Sequence, residues 1–155
     1  MSTRREFIGV TTTALVATAA STPTYARGTP KLQYIASAAA PKAIGPYSQA
    51  VRTGNTLYAS GQIALDPATG NLIQGDFAAQ ARRVLDNLKA VLQEAGADFR
   101  NVVRATVYLA DLANFQALNS IYAEYFGENK PARSTVGVAA LPRGAALEVD
   151  VIAVL

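Results

Sequence analysis

The sequence predicts a single α+β domain in which two helices pack on one face of a single β-sheet. Apolar residues recur at helical spacing in two stretches, 77–95 and 115–125. The other apolar stretches are short, and they alternate with polar residues or end in turn signals, which indicates strands. The order along the chain is strand, strand, helix, strand, helix, strand, strand. A chain of 155 residues suffices for one such domain with a hydrophobic core.

The first strands are predicted to form a hairpin. A lead-in contains a short strand at Leu32–Ile35, and a turn at 44–47 feeds a strand over 48–53. Gly54-Asn55 is a two-residue hairpin signal, so the return strand is predicted over 56–63. A second turn is then expected over 66–70 from its composition.

Each predicted helix has recognisable end residues. Asp76 is expected to cap the first helix and Gly96 to end it, while Asn114 and Gly127 bound the second. The apolar spacing predicts which side of each helix is buried. The predicted stripes are Phe77, Ala81, Val84, Leu85, Leu88, Val91, Leu92 and Ala95 in the first helix, and Phe115, Leu118, Ile121, Tyr122 and Tyr125 in the second.

The last strand, 145–155, indicates what covers each face of the sheet. Its odd positions are all apolar and are predicted to lie under the helices. Its even positions include Glu148 but also Ile152 and Val154, and a face open to water would be mostly polar. Because two helices cannot cover both faces, a second subunit is the expected cover. The strand between the helices, 102–110, is predicted to bury Val103, Ala105, Val107 and Leu109.

The stretch from Lys130 to Val138 carries the strongest functional indication from residues alone. Alternation after Pro131 places Ser134, Val136 and Val138 on one face, predicted to be core, and Arg133, Thr135 and Gly137 on the other. An Arg fixed on a strand offers the two-pronged hydrogen bonding that suits a carboxylate. The alternative is a surface Arg on a sheet edge.

Composition excludes several kinds of chemistry. The chain has no Cys and no His, so it has no thiol nucleophile, imidazole base or zinc finger. No metal-ligand set is recognisable, and neither a metal nor an organic cofactor is expected. The net charge is only +3, with no basic cluster among aromatics, so nucleic acid is not an expected partner.

The N-terminus resembles a twin-arginine (Tat) export signal. Arg4-Arg5 precedes an apolar, small-residue run over 8–20, and small residues around Ala26 mark an expected cleavage point. Residues 1–26 are therefore predicted to be a signal peptide and 27–155 the mature domain, located in the periplasm. The run is too short and too rich in Thr for a good membrane span, so no membrane contact is expected of the mature form.

Six short motifs lie in register between Ala40 and Leu155. They are Gly45-Pro46-Tyr47-Ser48-Gln49-Ala50, Ser60-Gly61-Gln62-Ile63, Gln80-Ala81 with Asn87-Leu88, Pro131-Ala132-Arg133-Ser134, Ala140-Leu141-Pro142 and Leu147-Glu148-Val149. Together they resemble the motifs of the RidA (YjgF, translation-inhibitor) family. The resemblance implies a chorismate-mutase-like fold and a homotrimer with a central barrel and three clefts between subunits. It also implies hydrolysis of reactive 2-imino or enamine acids, such as 2-iminobutanoate and 2-iminopropanoate, to 2-keto acids and ammonia.

The resemblance also implies roles for individual residues. Arg133 matches the residue that holds the substrate carboxylate, and Glu148 matches the carboxylate beside the water. Tyr47 matches the aromatic hydroxyl at the cleft. The further positions that match the cleft lining are Ser60, Gly61, Asn119 and Thr135, although some members have Cys in place of Thr135.

Two functions of other classes stay open at this point. An Arg-lined cleft could hold keto acids or amino acids without turnover, as a binding module. Ribonuclease or chaperone-like activity is also ascribed to this family, although the absence of His and of a basic stripe gives nuclease chemistry little support.

Overall fold

The computed structural model describes residues 31–155, and the predicted signal peptide with its cleavage point lies outside them. The described chain forms six strands and two helices in the predicted α+β arrangement. The strands are β1 (Leu32–Ile35), β2 (Ala50–Thr53), β3 (Thr56–Gln62), β4 (Val102–Leu109), β5 (Ala132–Gly137) and β6 (Leu147–Val154). The helices are α1 (Phe77–Glu94) and α2 (Phe115–Phe126). Across 31–155, neither helix combines the length and the hydropathy needed to cross a membrane.

The six strands form one mixed sheet in the order β1-β2-β3-β6-β4-β5. All neighbours are antiparallel except β4 and β5, which are parallel because α2 crosses between them. The last strand of the chain, β6, therefore lies inside the sheet between β3 and β4. Strand β5, which carries Arg133, lies at an edge, next to the helix that precedes it.

Both helices pack on the same side of the sheet, as predicted. Asp76 caps α1 by accepting a hydrogen bond from the Ala79 amide at 2.8 Å. Gly96, just past α1, and Gly127, at the end of α2, have φ of 77° and 55°, the left-handed conformation that favours glycine. The predicted stripe of α1 is buried from Ala81 to Leu92, and it contacts the odd positions of β6.

Two local expectations are wrong. Asn114 precedes α2 but makes no side-chain cap, because the chain enters the helix through a 3-10 turn at Leu112–Asn114 that Asp111 caps instead. Val103 is 48% exposed, while Val102 is buried. A β-bulge between Val102 and Arg104 inserts Val103 as an extra residue, which reverses the alternation at the start of β4.

The face assignment of β5 is also wrong. Arg133, Thr135 and Gly137 are paired in register with Ala105, Val107 and Leu109, which are fully buried under the helices. Ser134 and Val136 lie on the opposite face, and Val136 is 42% exposed. The predicted core face of this strand is therefore the face away from the helices. The reason is that β5 is an edge strand, where the helix side is lined by polar and aromatic residues of α2.

The face away from the helices holds a group of exposed apolar side chains. Register pairs Tyr34 with Val51, Val51 with Tyr58, and Tyr58 with Ile152, so this row runs across four strands. Tyr34 and Tyr58 are 67% and 49% exposed. The predicted position of Ile152 and Val154 on this face is confirmed.

Candidate active site

Four of the predicted site residues line one cavity of about 530 Å³. Tyr47, Ser60, Gly61 and Glu148 meet there, from three parts of the chain that are far apart in sequence. The pairing of β3 with β6 brings Gly61 next to Glu148, and the turn before β2 brings Tyr47 to the rim. The sheet topology, rather than any local motif, assembles this group.

Gly61 leaves the space that the Glu148 side chain fills. A Cβ atom on residue 61 would lie 2.7 Å from Cδ and 2.9 Å from Cγ of Glu148, and closer still to its Oε1. The β3–β6 pairing is irregular between Ala59 and Gln62, which lets the carboxylate lie across the backbone at this point. Residue 61 must therefore be glycine for Glu148 to keep its place.

We expect Gly61→Ala to displace the Glu148 carboxylate and to lower the turnover of the reaction proposed below by about 10-fold or more. The variant's melting temperature should change little, because the clashing atoms all belong to the flexible end of the Glu148 side chain, which can move aside. Gly137→Ala is the matched control, since its Cβ would meet the Leu112 side chain at 3.0 Å, away from the Glu148 cavity. Unchanged turnover in Gly61→Ala would show that the position of this carboxylate is unimportant.

Glu148 is a carboxylate without a hydrogen-bond partner among residues 31–155. Burial raises its pKa above the ordinary carboxyl value, and the negative charge of Asp150 on the same strand face adds to the effect. A carboxylate of this kind binds a proton more readily than one in water. Glu148 can therefore act as a proton acceptor for a molecule in the cavity.

Tyr47 is held at the rim by its own turn. Its amide donates to the Gly45 carbonyl at 2.8 Å, and its hydroxyl accepts from the Ile44 amide at 3.2 Å. The Ser60 hydroxyl donates to the Ser48 carbonyl at 2.7 Å, which ties β3 to the same turn. The Tyr47 hydroxyl keeps its own proton to donate to a ligand.

Arg133 lies on the other side of the sheet, facing α2. Its Nη2 donates to Oδ1 of Asn119 at 2.7 Å, and its Cζ lies 4.7 Å from the centre of the Tyr122 ring. These three residues line a second cavity, of about 400 Å³. Arg133 and Asn119, which the family resemblance each assigns to the cleft, are therefore in direct contact. Thr135 shares this strand face, and its hydroxyl is buried with no partner in the described chain.

One chain does not bring Arg133 and Glu148 together. Arg133 is in register with Ala105, which faces the helices, while Glu148 is in register with Tyr108 on the face away from them. The expectation that both side chains share the face away from the helices is wrong for Arg133. The predicted site residues therefore form two half-sites, Tyr47–Ser60–Gly61–Glu148 and Arg133–Asn119–Thr135.

Two neighbours of these half-sites were not predicted as site residues. Asp150 lines the Glu148 cavity, and its place two residues further along the strand indicates the same face. Tyr122 was predicted only as core, although it lies one helical turn after Asn119. Across 31–155, no cluster of three or more acidic side chains is suited to hold a metal ion.

Known proteins resemble this chain over most of its length. Residues 37–155 match the sequence model of the family described as endoribonuclease L-PSP. Protein DfrA of Myxococcus xanthus is 57% identical over 117 residues, 74% of this chain and 89% of that protein. The human 2-iminobutanoate/2-iminopropanoate deaminase is 49% identical over 120 residues, 77% of this chain and 88% of that enzyme.

The fold has the same relatives. The crystal structure of the Escherichia coli YjgF gene product superposes with a TM-score of 0.74 at 45% sequence identity, covering 79% of this chain and 98% of that one. The single mixed sheet with two helices on one face is the chorismate-mutase-like fold of that protein. Sequence and fold agree, and the chain belongs to the RidA (YjgF) family, whose sequence model is described as endoribonuclease L-PSP.

Proposed function

We propose that the protein hydrolyses reactive 2-imino acids, and the enamines in equilibrium with them, to 2-keto acids and ammonia. The observation that carries this proposal is the pair of half-sites. One presents a guanidinium suited to a carboxylate, and the other a carboxylate of raised pKa suited to a water molecule. The name of the human relative supports the same reaction.

The chemistry needs few groups. Arg133 holds the substrate carboxylate through the donors of its guanidinium. Glu148 takes a proton from water as the water oxygen bonds to the carbon of the protonated imine, and gives that proton to the nitrogen of the resulting carbinolamine. The carbon–nitrogen bond then breaks: ammonia leaves with the electron pair of that bond, and Glu148 takes the proton of the remaining hydroxyl as the carbon becomes a ketone. Ammonia or solvent accepts this proton, which returns Glu148 to its ionised form. Tyr47 donates to the developing charge, and fixed orientation supplies much of the acceleration.

The test is ammonia release from an imine generated in the same vessel by an amino-acid oxidase. Wild-type protein should release ammonia faster than buffer, and Arg133→Ala should not. Keto-acid binding without faster ammonia release would instead identify a binding module.

The two half-sites can meet only if neighbouring subunits share them. We propose a homotrimer in which Arg133 of one subunit faces Glu148 of the next. The exposed apolar row on the face away from the helices gives such an assembly a surface to bury. The family resemblance supports the number three.

Mixing inactive variants should therefore restore activity. If Arg133→Ala and Glu148→Gln chains are unfolded together and refolded at equal amounts, every mixed trimer contains one junction with both native residues. Random assembly then gives about a quarter of the wild-type sites. Each variant refolded alone is the control. Failure of the mixture to exceed these controls, with mixed trimers present by mass spectrometry, would place both residues in one chain's site or in none.

We also propose that the protein acts in the periplasm, because Arg4-Arg5 precedes an apolar run. Replacing both by Lys should keep the full-length protein in the cytoplasm, since the twin-arginine route distinguishes Arg from Lys. Fractionation and the mass of the recovered chain measure this. Replacing Arg100, which lies in the folded domain, is the control, and periplasmic recovery of the Lys variant would contradict the proposal.

A further inference from the structure

One face of α2 is built around the guanidinium of Arg133. Asn119, Tyr122 and Phe126 are spaced by three and four residues, so they lie on the same side of the helix. The rings of Tyr122 and Phe126 are stacked, with centroids 3.8 Å apart and planes 7° from parallel. The Tyr122 ring is therefore fixed in place by its neighbour. It lies 4.7 Å from Cζ of Arg133, a distance at which the charge is attracted to the ring face.

Three contacts surround the planar guanidinium. Asn119 accepts from Nη2 at 2.7 Å, the Tyr122 ring supplies the nearer face contact, and the Phe115 ring centre lies further away, at 5.8 Å from Cζ. Nε and Nη1 donate to no atom of residues 31–155. The contacts thus hold the group while leaving donors free for a carboxylate.

Tyr122 is an unfavourable residue for packing alone. The residue is only 8% exposed, and its hydroxyl is buried without a partner in the described part of the chain. A buried hydroxyl without a partner destabilises the fold. Burial also raises the pKa of Tyr122 to about 12, so the phenol stays neutral beside Arg133. A phenylalanine would avoid this cost and keep the ring face, so the ring rather than the hydroxyl carries the contact with Arg133; a leucine has no ring face to offer a cation.

We propose that Tyr122 is a positioning residue for Arg133: with Asn119, it forms a clamp that fixes the guanidinium in the orientation that binds the substrate carboxylate. This clamp rests on the function proposed above. It acts on substrate binding through Arg133 and takes no part in proton transfer. Its effect should therefore appear in KM and in the affinity for carboxylates, with kcat nearly unchanged.

A pair of variants separates the ring face from the hydroxyl. Tyr122→Phe keeps the face and removes the unpartnered hydroxyl, so its affinity for 2-oxobutanoate should equal that of the wild type. Tyr122→Leu removes the face and should weaken binding about 10-fold. In an Arg133→Ala background, Tyr122→Leu should add nothing further, because the group it positions is gone. The proposal is overturned if Tyr122→Leu binds like the wild type, or weakens binding by the same factor without Arg133.

A readout independent of imine chemistry comes from the Arg133 Nε–H signal in nitrogen-15 NMR spectra, identified by its absence in Arg133→Lys. The Tyr122 ring should shift this signal upfield in the wild type and in Tyr122→Phe, but not in Tyr122→Leu. A signal identical in all three overturns the clamp. If the shift is present while Arg133→Ala binds 2-oxobutanoate as well as the wild type does, the proposed function fails and the clamp's role fails with it.

Discussion

Arg133→Ala is expected to lower kcat/KM for 2-imino acids by about 100-fold or more, mainly through a higher KM. The change removes a charge-assisted, two-pronged contact with the substrate carboxylate, worth on the order of 3 kcal/mol in a shielded cleft. Binding of unreactive 2-keto acids should weaken in parallel, because they carry the same carboxylate. Steady-state kinetics and calorimetry with 2-oxobutanoate measure the two effects.

Two further variants test the reason for this loss. Arg133→Lys keeps the charge but loses the planar fork that Asn119 and Tyr122 hold, so it should recover little affinity. Arg100→Ala removes an exposed guanidinium whose described partner is Asp98, and it should leave the kinetics unchanged. Full activity in Arg133→Ala would remove the substrate anchor and refute the proposed site.

Glu148→Gln is expected to lower kcat by about 100-fold or more while keto-acid binding changes little. The amide keeps the shape of the side chain and its fit over Gly61, but it cannot accept a proton from water. If this variant hydrolyses imines at the wild-type rate, Glu148 is a structural carboxylate and another group orients the water.

The pH dependence gives a second measure of Glu148. Because burial and Asp150 raise its pKa, the wild-type kcat/KM should climb with pH through a range above that of an ordinary carboxyl group. Below that range Glu148 is protonated and cannot act as the base. Glu148→Gln should lack this acidic limb. Asp150→Asn should keep it and move it to lower pH, since the neighbouring negative charge is gone.

Much of the fold follows from periodicity and turn chemistry. Local patterns predict the buried stripe of α1, the hairpin at Gly54 and the alternation of β6. They do so without knowledge of the packing partners, because any apolar surface can cover an apolar stripe. The same reasoning assigned the wrong face of β5 to the core, because alternation distinguishes the two faces of a strand without showing which face a helix covers. On β5 the covering element is one edge of α2, which is polar enough to accommodate Arg133.

The candidate site depends on contacts between residues that are far apart in sequence, and local sequence patterns do not show such contacts. The Glu148 side chain lies over Gly61 of the neighbouring strand, where the pairing of the two strands is irregular. This arrangement is visible only in the three-dimensional structure. The family resemblance identified Gly61 and Glu148 as site residues, but it did not explain why residue 61 is a glycine. Likewise, the helical stripe identified Tyr122 as buried, but the charge it contacts belongs to a different element.

The inner position of β6 has a consequence for biosynthesis. The ribosome makes β6 after both of its neighbours in the sheet, yet β3 and β4 can be joined into one sheet only through it. Until Leu147–Val154 emerges, both strands present unpaired edges, and the pairings still to be made span long distances in sequence, which slows their formation. The domain can therefore complete its sheet only after β6 has left the ribosome. A chain that loses its last strand to a premature stop should remain unfolded and prone to aggregation.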